Sequence, residues 1–333
     1  MKRRRAGAVN GEKTPPRRTT PLPRPEDGML IMAELVTTSI GPFISAFGCL
    51  SRIVADMELE WGVDGIRFSS MDSGHVLLAV GRLHPFFSTS ELPPSASIAH
   101  SNENEDDGLE VVQSTSSNDI TETHTDYYRY YGPEGDKVVT GIKTVAFHKF
   151  LSSAKNADTL KLRVVALPGG QLQCIDITSY TSSTKIECSM HLFHMECEAL
   201  SIPPTLPSFV ITMPTRLFAE AVKLFNEAHV EVLAFQVARE GGSLTISGSG
   251  DTGRVKYTIS PNADKQTTME LGASRTSYHT SFSVRLLCEF AGMASAAPAV
   301  ELRLFTPDLP LMVRFHVPDL GDVSFYLAPK SDE

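Results

Sequence analysis

One tryptophan serves a chain of 333 residues, and no apolar run approaches the roughly 20 residues that span a bilayer. A membrane-spanning helix is therefore not expected, and no membrane partner with it. The N-terminus is basic but has no apolar stretch behind it, so it lacks the form of a secretory signal. Cysteine is sparse as well: five residues, odd in number and without tight spacing, argue against a disulfide framework and for free thiols in a reducing compartment. Catalytic signatures are missing. No Gly-x-Ser-x-Gly occurs, and no carboxylate pair stands in an acid–base pattern. Gly248-Ser249-Gly250 and Gly11-Glu12-Lys13-Thr14 lack the strand–loop–helix setting and the spacing of a phosphate loop. These absences weigh against an enzyme, and no cofactor or metal is expected.

Positive charge is scarce and unevenly placed. The chain carries a net −9, yet residues 1–28 hold eight Lys or Arg against three Asp or Glu, which leaves −14 for the remainder. Residues 84–125 contain eight acidic residues and no Lys or Arg, so the rest of the chain sits near −6. Any nucleic-acid face must be local and set against an acidic outside. The Pro- and Arg-rich segment 1–28 has few residues able to build a core and reads as a disordered basic tail. Its Lys2-Arg3-Arg4-Arg5 and Arg17-Arg18 clusters read either as a nuclear import signal or as solvated charge. Residues 84–125 are rich in Ser, Thr, Asn, Glu and Asp and too long for an ordinary connection, so a disordered acidic insert is expected there.

What remains is regular. MLIMAELV reads as a strand, and SIGPFISAFGCLSRIV as a helix with Ile40, Phe43, Ile44, Phe47, Leu50, Ile53 and Val54 on one stripe. Pro42 fits only the first turn, where its missing N–H costs nothing. LEWGVDGIRFSSMDSGHVLLAVGRL gives alternating runs broken by Asp64-Gly65 and Ser73-Gly74, the pattern of hairpins. After YYRYYGPEGDKVVTGIK comes a second helix near VAFHKFLSSAKN, then strands at TLKLRVVAL, LQCIDITSY and KIECSMHLF. The second half repeats this order. It runs from the strand FVITMP and the helix TRLFAEAVKLFNEA, through strands with Gly-rich turns, to a helix over SFSVRLLCEFAGMASAA and closing strands to the end. Strand–helix–hairpins–helix–strands thus occurs twice with little residue identity, which predicts an α+β protein of two similar domains.

At this point the residues resemble a known family. GIRFSSMDSGHVLLAV is similar to its strand–turn–strand segment built on Met-Asp-Ser-Ser-His-Val, and TPDLPLMVRFHVPDLGDVSFYLAPKSDE to its C-terminus with Tyr-Leu-Ala-Pro-Lys. NADTLKLR, FVITMPTRLFAEAV and SFSVRLL fall at the family's spacings between them. The chain resembles the proliferating cell nuclear antigen family of eukaryotic-type sliding DNA clamps over residues 29–83 and 127–333, as a divergent member. The resemblance implies a clamp domain at 29–190 with the insert 84–125 inside it, a linker at 191–209, a second clamp domain at 210–330 and a short tail at 331–333.

The same resemblance implies a homotrimeric, pseudo-sixfold ring in the nucleus, with helices inside and antiparallel sheets outside. Such a ring encircles double-stranded DNA without reading sequence. It tethers DNA polymerase, clamp loader, ligase and flap nuclease through short peptides, as a processivity factor in replication and repair. It also implies a partner-peptide pocket made of Met71, His75 and Val76 on the floor, Leu200, Ile202 and Pro203 from the linker, Pro310 and Leu311 as a wall, and Tyr326, Ala328 and Pro329 at the rim. Read from strand spacing alone, Met71, Val76 and Leu311 are core residues.

Several positions depart from the family. Its inner helices carry many cations, whereas this chain offers Arg52, Lys149, Lys155, Lys223 and Arg285 as DNA-facing candidates, fifteen in a ring of three. Glu220 and Gly292 stand where bases are usual, which weakens attraction to phosphate. Arg239 replaces the lysine that accepts ubiquitin in damage tolerance (translesion synthesis), and Ser201 replaces a linker glycine. Cys188, His191, His194 and Cys197 are evenly spaced, but steps of three along a strand point to opposite faces, which disfavours a zinc cage. Two further readings stand beside the homotrimeric clamp: a specialised or heterotrimeric checkpoint-type clamp subunit with weak DNA grip, and a metal-dependent enzyme using the Cys/His group.

Overall fold

The computed structural model describes residues 28–83, 126–133, 135–195, 205–238, 242–261, 266–272 and 277–330. The basic N-terminal segment, the acidic stretch 84–125 and Arg239 lie outside the described residues. The first half runs β1 (Leu30–Thr37), α1 (Ile40–Ile53), β2 (Asp56–Gly62), β3 (Gly65–Met71), β4 (Leu77–Leu83), β5 (Tyr127–Tyr130), β6 (Val138–Lys143), α2 (Thr144–Ser153), β7 (Thr159–Ala166), β8 (Leu172–Tyr180) and β9 (Lys185–His191). The second runs β10 (Phe209–Pro214), α3 (Thr215–Glu227), β11 (Val232–Val237), β12 (Leu244–Gly250), β13 (Gly253–Ile259), β14 (Thr268–Leu271), β15 (Tyr278–Ser283), α4 (Val284–Ala291), a 3₁₀ turn (Gly292–Ser295), β16 (Ala299–Leu304), β17 (Leu311–Val317) and β18 (Gly321–Leu327).

Local sequence explains most of these elements. Pro42 lies in the first turn of α1, and Phe43, Phe47 and Leu50 are buried along one stripe, as the three–four spacing predicts. α3 buries Phe218, Ala221, Val222 and Phe225, which leaves Arg216, Glu220, Lys223 and Glu227 as the opposite, exposed stripe. One expectation fails: SFS does not begin a helix. Tyr278, Thr280 and Phe282 are buried alternately, Ser283 still pairs with Val232, and α4 begins only at Val284. Beyond Ala291 the α-helix tightens into the 3₁₀ turn.

All strand pairs are antiparallel, and the two halves match strand for strand. In the first half one layer is ordered β5-β1-β7-β8-β9; in the second the same places are held by β14-β10-β16-β17-β18. The other layer is β6-β2-β3-β4 in the first half and β15-β11-β12-β13 in the second. β18 pairs along its whole length with β4, from Gly321 opposite Leu83 to Leu327 opposite Leu77, fusing layers of both halves into a nine-stranded sheet. The helices form a separate layer in which α1 packs on α2, α3 on α4, and α1 also on α4. One apolar cluster runs through both halves. At the joint Phe290 of α4 stacks on Phe325 of β18 with ring centroids 4.5 Å apart.

Candidate partner pocket and helical face

The turn between β3 and β4 is held by one carboxylate. Asp72 Oδ1 accepts hydrogen bonds from Val76 N (2.9 Å) and Leu77 N (2.8 Å), while its Oδ2 accepts from Gly74 N (3.2 Å). This lets His75 sit at φ 55°, with its Nδ1 3.1 Å from Met71 Sδ. The chain leaving β18 is tied to the same turn, because Ala328 N donates to Val76 O at 2.9 Å. Val76 is left 42% exposed, whereas strand spacing alone would have made it core.

Register supplies the rest of the pocket. Met71 pairs with Leu78, Leu78 with Tyr326, and Tyr326 with Met312, so these four side chains form one row across β3, β4, β18 and β17. Met71, Leu78 and Tyr326 are half-buried, and Pro310, Ala328 and Pro329 are half-buried around them. Burial pushes the Tyr326 hydroxyl above its usual range, opposed by the nearby charges of Arg303 and Arg314. A cavity of about 760 Å³ opens beside the turn, lined by Ile53, Ala55, Ser70, Met71, His75 and Met195 among others.

One expected wall residue is misplaced. Leu311 is fully buried opposite Leu327, on the core face of β17; its neighbour Met312 is the residue that shares Tyr326's face. The reason is the strand alternation itself. Leu78 and Met312 were not singled out from sequence, and only the pairing register identifies them. Leu200, Ile202 and Pro203 lie outside the described residues.

On the helical face, Lys149, Lys223 and Arg285 are exposed on α2, α3 and α4, and Lys155 on the turn after α2. Arg216, also exposed on α3, is a further cation beside the five expected from sequence. Lys223 is 3.6 Å from Glu227. Arg52 is engaged differently. Its guanidinium meets the Glu289 carboxylate at 2.5 Å, donates to Gly48 O at 3.2 Å, and lies over Gly292, where an added Cβ would come within 2.3 Å of it. Gly292 therefore makes room for a tie between α1 and α4. Beside it Cys49 Sγ donates to Glu289 O at 3.1 Å, and burial pushes that thiol up to about 12.

Cys188 and His191 sit on β9 with His194 beyond it, and Cys197 lies outside the described residues. Among the described residues no group of three or more His, Cys, Asp or Glu is placed to hold a metal, and no helix is long and apolar enough to cross a membrane. Residues 201–330 match the family model described as "Proliferating cell nuclear antigen, C-terminal domain". The matched span takes in α3, α4, and the strands β17 and β18 that carry Met312 and Tyr326, but not β3 and β4 with Met71 and Leu78.

Proposed function

Residues 201–330 belong to the proliferating cell nuclear antigen family of sliding clamps, and from that premise we propose that the whole chain is a ring-forming clamp that encircles duplex DNA. It acts there as a processivity factor and tethering platform and not as an enzyme. The two halves at 29–190 and 210–330 serve as its clamp domains, with 191–209 as the linker. The observation that carries this reading is a pair of strands that, among the described residues, each have one open side. The internal joint uses β18 and β4; the equivalent strands of the opposite halves, β9 and β13, are both sheet edges. Two complementary edges at opposite ends of one chain make a head-to-tail interface, which closes into a ring when the rotation permits.

Three copies would then present α1 to α4 toward the hole. Of the cations there, Lys149, Lys155, Arg216 and Arg285 make no ion pair among the described residues, so they are the groups available to phosphate. Arg52 contributes mainly through its tie to Glu289. The grip is weak and indifferent to sequence, as sliding requires. On the outside, the Met71–Leu78–Tyr326–Met312 row takes the aromatic anchor of a short helical peptide from a polymerase, clamp loader, ligase or flap nuclease. Work of this kind places the protein in the nucleus of its host cell. The edges complement each other within one chain, which favours a homotrimer over a heterotrimeric subunit.

The test is topological. After loading by a clamp loader onto nicked circular DNA, the protein should be retained through a salt wash and released when the circle is linearised. Retention that does not depend on circularity would overturn the encircling role.

A further inference from the structure

The internal joint can be used as a ruler for the open edges. Leu59 bridges Phe68 and Thr140 as Phe235 bridges Ile246 and Thr280, which makes Phe68 equivalent to Ile246, Gly81 to Tyr257 and Ala79 to Val255. Likewise Leu162–Ile177–Cys188 runs across the first half as Leu302–Val313–Phe325 runs across the second. The joint places Phe325 opposite Ala79 and Val323 opposite Gly81. Transferred to the open edges, this register sets Cys188 opposite Val255 of the next copy and Ile186 opposite its Tyr257. The apolar residues of the two edges meet on one face, an independent agreement, since the register was carried over from other residues.

On the opposite face the same register brings charges together. Glu187 falls opposite Lys256 of the next copy, and Ser189 opposite its Arg254. Ser189 Oγ already donates to Asp176 of β8, so Arg254 of the next copy would arrive beside that carboxylate. In the single chain these groups are incompletely paired. Among the described residues Glu187 pairs with Lys185 on its own strand, at 2.7 Å and with both side chains more than half exposed. Among the described residues Asp176, Arg254 and Lys256 make no ion pair, and Lys185 would face Thr258, not a cation.

We infer that the ring closes through an electrostatic latch, Glu187 with Lys256 and Asp176 with Arg254 of the next copy. In the joint inside the chain the places of Asp176 and Arg254 are held by the apolar Met312 and Leu78, and those of Glu187 and Lys256 by Ser324 and Val80. The inference rests on the ring reading and adds to it the chemistry of the contact. Its consequence is a clamp whose closure weakens as salt rises.

The dissociation constant of the assembly decides it, measured by light scattering on the full chain at about 0.05 and about 0.5 M salt, a range over which screening shortens several-fold. The wild-type constant should rise at least about tenfold with salt, the equivalent of about 1.4 kcal/mol. Glu187→Lys or Lys256→Glu alone should weaken assembly further, and the double exchange E187K/K256E should restore it. A wild-type trimer unaffected by salt and by either single exchange would overturn the latch and leave the ring standing. A wild type that never assembles would overturn both.

Discussion

The internal joint and the open edges use equivalent strands in the same order, yet they differ in the outer row where the pocket lies. Where the internal joint has Met71, Leu78, Tyr326 and Met312, the open edges have Ser249 and Arg254 on one side and Ser189 and Asp176 on the other. A duplicated fold therefore provides two equivalent grooves per chain in the proposed ring, but only one is apolar enough to seat an aromatic anchor. On the proposed reading the duplication divides the labour: the joint inside the chain is guaranteed by the chain itself and is free to carry a pocket, while the open edges would meet another copy in solution, with their charges serving that meeting.

The comparison breaks most severely at the internal joint. Phe325 is fully buried and stacked on Phe290, so Phe325→Ala should destabilise the protein by about 4 kcal/mol. Chemical denaturation would measure this, and a cost below that of an ordinary surface change would show that the joint is not a core. Tyr326→Ala, one residue away but half-buried on the outer face, should leave the fold largely intact while weakening a clamp-interacting peptide about tenfold or more, as loss of an aromatic anchor does. An unchanged affinity by titration calorimetry would remove Tyr326 from the pocket.

Glu34 sharpens the contrast between a buried charge cluster and the exposed latch. Burial alone would raise its carboxyl, but hydrogen bonds from Tyr127 and Arg163, with Lys161 at 3.2 Å, hold it below the usual carboxylate range. A depressed folded-state pKa contributes stability that is complete above the unfolded value and lost as pH falls through the folded one. Glu34→Gln should therefore cost about 2 kcal/mol near neutrality and flatten the loss of stability below about pH 4.5. Thermal unfolding followed across that range checks both. The smallest effect is expected at Arg52→Ala. Its ion pair with Glu289 is solvent-exposed, so about 0.5 kcal/mol is lost, and the difference should shrink in high salt.

Much of this was legible in the sequence because hydrophobic spacing is a local signal. The α1 stripe, the hairpins around Asp64-Gly65 and Ser73-Gly74, and the repeated order of elements follow from it directly. β14 was not legible, since its four residues are largely exposed and carry no alternation. The end of β15, Ser281 to Ser283, reads as helix because Phe282, the last buried residue of its alternation, adjoins the apolar stripe of α4. The site was partly visible. Tyr326 and Val76 came from the family resemblance, and the burial of Leu311 from strand spacing, but Leu78 and Met312 depend on which strand lies beside which. The same limit hid the Arg52 tie and the Glu187–Lys256 correspondence, which involve residues far apart in the chain.

The most direct test of the account is the solution mass of the purified chain at low ionic strength. Complementary edges predict about three times 36.3 kDa; a chain that stays at 36.3 kDa as its concentration is raised would contradict the claim that β9 and β13 are made for each other.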